Sequence, residues 1–170
     1  ETVVEVPLIE DLPKGFMSVR TGKRKFNWRN DKPSSLIFIQ ALDGGDPEKE
    51  VAYRDEVFQL DPPFNGKAKS LIKTINRFRS AVWGNDSTAL VYDYWWNTRN
   101  TKTYLFNPSE ITSEAEILFD RNYQNRYTEP GDFVTTRNKM GSYVLVFEEG
   151  NAFLNGAGYS EKGQFPFIDQ

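Results

Sequence analysis

The 170-residue chain contains neither cysteine nor histidine. Without Cys there is no disulfide, no thiol nucleophile and no thiolate metal site. Its absence says little about compartment, since oxidising compartments also hold Cys-free domains. Without His the commonest general base is gone, and with it every Ser-His-Asp or Cys-His triad and the main zinc ligand. Charge of one sign is not in excess either: 21 Lys+Arg stand against 24 Asp+Glu, a formal net charge of −3. That excludes the basic footprint of a nucleic-acid binder, and the interspersed signs read as solvated surface. No apolar run approaches the roughly 18 residues of a membrane span. The opening residues show no signal-peptide pattern. No cofactor, nucleic acid or membrane partner is expected.

Aromatic residues, in contrast, are abundant at 15%, and they favour strands. A chain of this size is long enough for a real core, burying roughly 70% of its extended-chain surface. Three times a polar, Asn-centred turn precedes an apolar run. The turns are Trp28-Arg-Asn30-Asp31, Trp83-Gly-Asn85-Asp86 and Arg137-Asn138-Lys139-Met-Gly141. The runs are Leu36-Ile-Phe-Ile39, Leu90-Val-Tyr92 and Tyr143-Val-Leu-Val-Phe147. The asparagines lie 55 and 53 positions apart (30 to 85, 85 to 138). A period of this order, with several short strands per copy, points to β-propeller blades. Three blades do not close a propeller, so the chain reads as a piece of something larger.

The pattern predicts an all-β fold of antiparallel four-stranded sheets, about three consecutive blades spanning 23–74, 77–120 and 132–170. The first blade would hold Lys25–Trp28, Ser35–Ala41, Val51–Leu60 and Lys67–Thr74. The second would hold Arg77–Trp83, Thr88–Trp95, Thr101–Asn107 and Glu114–Asp120. The third would hold Asp132–Arg137, Ser142–Glu148, Asn151–Gly156 and Gln164–Ile168. Residues 1–8, with the strand-like Thr2–Pro7, read as a leftover strand of a preceding blade. Pro47, Pro62, Pro63, Pro108 and Pro130 fall in connectors, as their missing N–H requires. Only 64–78 offers a competing helix, and Gly66 with β-branched Ile72, Thr74 and Ile75 argues against it.

Candidate chemistry is sparse. Asp43-Gly-Gly-Asp46 could be a calcium turn, but it lacks the acidic ladder and closing Glu of an EF-hand loop and reads as a hairpin turn. Gly158-Tyr-Ser160-Glu-Lys-Gly163 is one residue too long for a G-x-S-x-G elbow, and no His exists to activate the serine. Asn85-Asp-Ser87 is an N-glycosylation sequon of a kind frequent by chance. Tyr92-Asp-Tyr94-Trp95-Trp96 is the densest aromatic cluster, suited to packing between sheets or to a stacking platform. Trp95 and Trp96 point to opposite faces, so at most one could serve a ligand. Arg99, Arg121, Arg126 and Arg137 could grip an acidic group bidentately or anchor loops. Trp95, Trp96, Arg99 and Arg126 are the candidate ligand or interface residues.

An ordered series of segments resembles one family. Ser18-Val-Arg-Thr-Gly22, followed by Arg24, Phe26, Trp28 and Arg29, is similar to a stretch of the glutamyl-endopeptidase-like branch of the prolyl oligopeptidase serine peptidases. Ala41-Leu-Asp-Gly-Gly-Asp-Pro47, Tyr53-Arg-Asp55, Trp83-Gly-Asn-Asp86, Trp95-Trp-Asn-Thr-Arg99 and Phe119-Asp-Arg-Asn-Tyr123 follow in the same order, then Arg126-Tyr127 and Pro130-Gly131. The resemblance implies the middle of an N-terminal β-propeller. In that family the Ser-Asp-His triad sits in a separate C-terminal α/β-hydrolase domain that nothing here matches. No catalytic residue carries over, and the chain alone is not expected to be an enzyme. The implied role is a lid that limits access by substrate size. The implied partners are the remaining blades, the hydrolase domain and the peptide substrate, with self-association of an isolated piece through open blade edges. The family resemblance is compatible with a periplasmic or an organellar setting. The competing reading is a free-standing β-domain that binds carbohydrate or a protein partner.

Overall fold

The computed structural model describes residues 8–110 and 115–170. The leftover strand expected over 1–8 lies, Leu8 apart, outside them, as does the start of the strand expected over 114–120.

Strands form where β-branched and aromatic residues run between turn signals. β1 (Arg24–Trp28), β2 (Leu36–Ala41), β3 (Asp55–Leu60) and β4 (Lys69–Thr74) make an antiparallel sheet in the order β1-β2-β3-β4. β5 (Arg77–Asn85), β6 (Thr88–Tyr94), β7 (Asn100–Phe106) and β8 (Glu116–Asn122) make a second, in the order β5-β6-β7-β8. Each is a meander of four neighbouring strands, the arrangement of a propeller blade. β4 is a strand, so the helical alternative over 64–78 does not occur. β3 begins at Asp55 rather than at Val51, because the chain bends at 52 and 54 and first joins the end of β4 at Arg54 (Arg54 N–H to Thr74 C=O, 2.9 Å).

The core lies between the two sheets. Ile37, Ile39, Val57, Leu71 and Ile72 of the first meet Phe78, Trp83, Ala89, Val91, Tyr104 and Phe106 of the second. Burying each large apolar side chain here contributes about 1.5–3 kcal/mol. Alternation in β3 turns Val57 inward, while Phe58 lies on the opposite face, stacked on Phe38 with ring centroids 5.3 Å apart. Ile37, Phe38 and Ile39 are all buried, as are Ala89, Leu90 and Val91. These continuous apolar runs are strands covered on both faces.

The third segment departs from the expected single four-stranded sheet. Its strands are β9 (Asp132–Phe133), β10 (Thr135–Arg137), β11 (Tyr143–Leu145), β12 (Phe147–Glu148), β13 (Asn151–Ala152), β14 (Leu154–Gly156), β15 (Tyr159–Ser160), β16 (Gly163–Gln164) and β17 (Phe167–Asp169). They pair as β10-β11, β12-β13, β15-β16 and β17-β14-β9. Each expected long strand changes partner near its middle: the stretch 132–137 pairs with β14 through β9 and with β11 through β10. Val134 marks the switch, donating to Phe153 C=O at 2.8 Å and accepting from Val146 N–H at 3.0 Å. The physical reason is a shortage of inward apolar residues. Val144 and Leu145 are the buried hydrophobics of this segment, and a strand without a continuous buried face has a weakly specified register.

The three Asn-centred turns meet at one end of the molecule. Asn138 Nδ2 donates to Asn30 C=O (2.7 Å), Asn30 Nδ2 donates to Tyr143 C=O (3.1 Å), and Lys32 pairs with Asp86 (2.7 Å). The side-chain oxygens of Asn85 and Asn138 accept N–H bonds two residues on, from Ser87 and Met140, which is why Asn occupies these turns. Among the described residues the only helical elements are 3-10 turns at Ile9–Asp11 and Arg126–Thr128, and no helix is long and apolar enough to cross a membrane.

Candidate functional site at the charged end of the sheets

Beside the buried Arg29–Asp31 pair of the Asn-turn end, the opposite end carries a larger cluster of buried charge. β4 passes to β5 through two residues, Ile75 and Asn76. Asp55, the first residue of β3, and Asp93, set in the apolar run of β6, reach this connector from either sheet. Asp55 Oδ2 accepts the Phe78 N–H at 2.7 Å. Asp93 accepts the Asn76 N–H (2.9 Å) and Nδ2 (3.1 Å), the Lys102 N–H (2.9 Å) and the Tyr104 hydroxyl (2.7 Å). The Tyr104 oxygen in turn accepts the Ile75 N–H at 3.1 Å. Burial pushes the Asp93 carboxyl up against the pull of those hydrogen bonds. Burial, reinforced by the Asp93 charge, also raises the Tyr104 phenol.

Arg77 opens β5 and pairs with Asp43: Nη1 donates to Oδ1 at 2.9 Å, and Nη2 stands 2.8 Å from Oδ2 in an ion pair without a hydrogen bond. Its Nη1 is also 3.2 Å from Asp55 Oδ1, and its Nε donates to Met17 C=O at 3.2 Å. Arg54 adds a bond to Asp43 (2.9 Å), and Arg24 an ion pair to Asp55 (2.5 Å). Three guanidiniums thus share two carboxylates out of water, where their mutual attraction is strong and the loss of one partner is costly. The Lys25 ammonium lies against this cluster and donates to Phe78 C=O at 2.8 Å. Burial, then the Arg24 charge, lowers its pKa, with Asp55 opposing.

Trp95, Trp96 and Arg99 sit in the turn between β6 and β7, beside this cluster. Arg54 caps the Trp95 ring at 4.0 Å, and Arg99 caps the Trp96 ring at 3.8 Å while its Nη1 donates to Trp96 C=O. Trp96 also meets Phe16 at 5.1 Å and is 42% exposed. Each indole therefore already carries a guanidinium of this chain on a face that a stacked sugar would use. Arg126 is not brought to this turn; it lies over Tyr159 at 5.4 Å, in the second 3-10 turn. Arg137 lies over Tyr143 at 5.3 Å, and Arg121 faces Glu129 at 3.8 Å.

Asp43 belongs to the Asp-Gly-Gly-Asp turn. Its oxygens are occupied by arginines and by the Gly45 N–H (2.9 Å), as suits a clamped hairpin. Ser160 Oγ donates to Gly163 C=O (2.9 Å) inside a hairpin. Asn85 of the sequon is exposed in its turn. Sequence reasoning missed Arg24, Arg54, Arg77, Asp55, Asp93 and Tyr104. The legible signal was Asp93, a charge inside an otherwise apolar strand, which requires buried partners.

The chain is 37% identical over 172 residues to a protein of Oryza sativa subsp. japonica described as "Probable glutamyl endopeptidase, chloroplastic", covering 97% of this chain and 18% of the relative. It is 38% identical over 173 residues to the Arabidopsis thaliana protein of the same description, again covering 97% and 18%. The chain is similar to one segment of the glutamyl endopeptidases over almost its whole length. It spans about a fifth of the length of those relatives. No family model matches the chain. No solved structure matches it.

Proposed function

We propose that this chain is a non-catalytic β-propeller segment of a larger serine peptidase of the prolyl oligopeptidase type. Its blades frame the site of a catalytic α/β-hydrolase domain located elsewhere in the protein and limit by size which peptides reach it. The observation that carries this reading is the match along 97% of the chain to 18% of proteins described as glutamyl endopeptidases. The absence of His and Cys agrees with a segment that holds no catalytic base or thiol. The clamped connector supports a stiff wall, since two sheets tied by buried carboxylates present a fixed rim. The partners in this reading are the remaining blades, the hydrolase domain and a peptide. Trp95, Trp96, Arg99 and Arg126 enter it as candidates for contact with any of the three.

The test uses the full-length protein and one cleavable sequence presented in a short peptide, in longer peptides and within a folded protein. The specificity constant kcat/KM is expected to fall as the carrier grows, while the 170-residue chain alone hydrolyses none of them. Asp55→Asn, which loosens the connector, is expected to narrow the gap between short and folded substrates. Equal kcat/KM for all carriers would sink the gating reading.

A further inference from the structure

Asn-Gly occurs at Asn65-Gly66 and at Asn155-Gly156. Such a pair can react with itself: the backbone nitrogen of the glycine attacks the side-chain carbonyl carbon of the asparagine. Glycine favours the step because no Cβ hinders the approach and its backbone turns freely. The step makes one geometric demand, that the glycine nitrogen swing round beside Asn Cγ. Sequence alone ranks the two sites alike, and the fold separates them.

Asn65 lies in the connector between β3 and β4, where residues 61–67 are all exposed. Among the described residues neither its side chain nor the Gly66 N–H takes part in a hydrogen bond. Gly66 stands in open space, with nothing within 4 Å of where a Cβ would be. Water reaches this peptide, and no partner resists its turning. Asn155 lies in β14, the central strand of the β17-β14-β9 sheet, opposite Ile168 on one side and Asp132 on the other. Gly156 is buried opposite Phe167, and an added Cβ would fall 2.2 Å from the Phe167 ring. Extended backbone of this kind turns the following nitrogen away from the side chain. Reaction at Asn155 therefore requires β14 first to leave its neighbours, an opening that costs free energy.

We propose that Asn65 is a site of spontaneous deamidation in the folded protein and that Asn155 is not. Hydroxide takes the Gly66 N–H proton, the freed nitrogen bonds to Asn65 Cγ, and Nδ2 leaves as ammonia. Water then opens the cyclic imide at either carbonyl, giving aspartate or isoaspartate. Nothing is oxidised or reduced. Both products place a negative charge two residues before the exposed Lys67. Isoaspartate also adds a carbon to the backbone beside Phe64, whose ring meets Trp28 edge-on at 5.7 Å. The modification thus alters the loop that packs on the edge strand β1.

The test holds the full-length protein at mildly alkaline pH, digests samples under acidic conditions and follows both peptides by mass spectrometry, which reads amide-to-acid conversion and separates the isoaspartyl form. In the folded protein Asn65 should convert at least about tenfold faster than Asn155, the factor that a modest local opening imposes. In strong urea the two rates should converge, because only the fold distinguishes the sites. Gly66→Ala should slow conversion at Asn65 and leave Asn155 unchanged, and the open space around Gly66 lets this variant fold. Equal rates in the folded protein, or faster conversion at Asn155, overturns the proposal. So does an Asn65 rate that folding suppresses as strongly as that of Asn155, or one that Gly66→Ala leaves untouched.

Discussion

At the scale of single residues, what matters is where charge has left water. Asp55 is fully buried between Arg24 and Arg77 and accepts the Phe78 N–H. Asp55→Ala leaves two guanidiniums short of a countercharge, and the expected loss is about 3–5 kcal/mol, read as a lower denaturant midpoint. Lys32 and Asp86 also form an ion pair, at 2.7 Å, but Asp86 is 74% exposed there. Lys32→Ala is expected to change stability by no more than about 1 kcal/mol. If the two substitutions cost the same, the buried cluster does not hold the sheets. The cluster was not legible in the sequence, because its members read one at a time as surface residues at strand ends. Arg77 meets Asp55 and Asp43 from 22 and 34 positions away. Spacing along a chain carries no signal for such a meeting.

At the scale of elements, the eight strands of the first two sheets were legible to within a few residues. Their apolar runs are bounded by Asn, Asp, Gly and Pro, and each pairs with its neighbour in sequence. The strands of the third segment were legible as strands but not in their pairing. Register there is decided by contacts that turn on one or two residues, such as Val134. Turns obey a harder constraint. Gly45 has φ +80°, accepts the Val19 N–H at 3.0 Å, and an added Cβ would fall 1.8 Å from Val19 C=O. Gly45→Ala must therefore push the 18–20 segment off the hairpin that carries Asp43. The expected result is a loss of stability exceeding the roughly 1 kcal/mol of an ordinary glycine replacement, together with faster amide exchange at Val19. A neutral Gly45→Ala would show that this hairpin is not pinned.

At the scale of the whole molecule, the first and last strands of both four-stranded sheets are edges within their own sheets. Edge strands present unpaired N–H and C=O groups to any neighbour. Produced on its own, the 170-residue chain is expected to associate in a concentration-dependent manner, seen as a rising weight-average mass in sedimentation velocity. A monomer with well-protected edge amides at every concentration would count against open edges. The division into sheets does not make them separable parts. Ile75 and Asn76 are the whole passage from one to the other, and both of their N–H groups, with that of Phe78, are held from inside the protein. Anyone dividing this chain for expression should therefore avoid this point. A cut at Ile75 or Asn76 would part Asp55 from the Phe78 N–H and from Arg77, so the two sheets are best produced, and are expected to be degraded, as one piece.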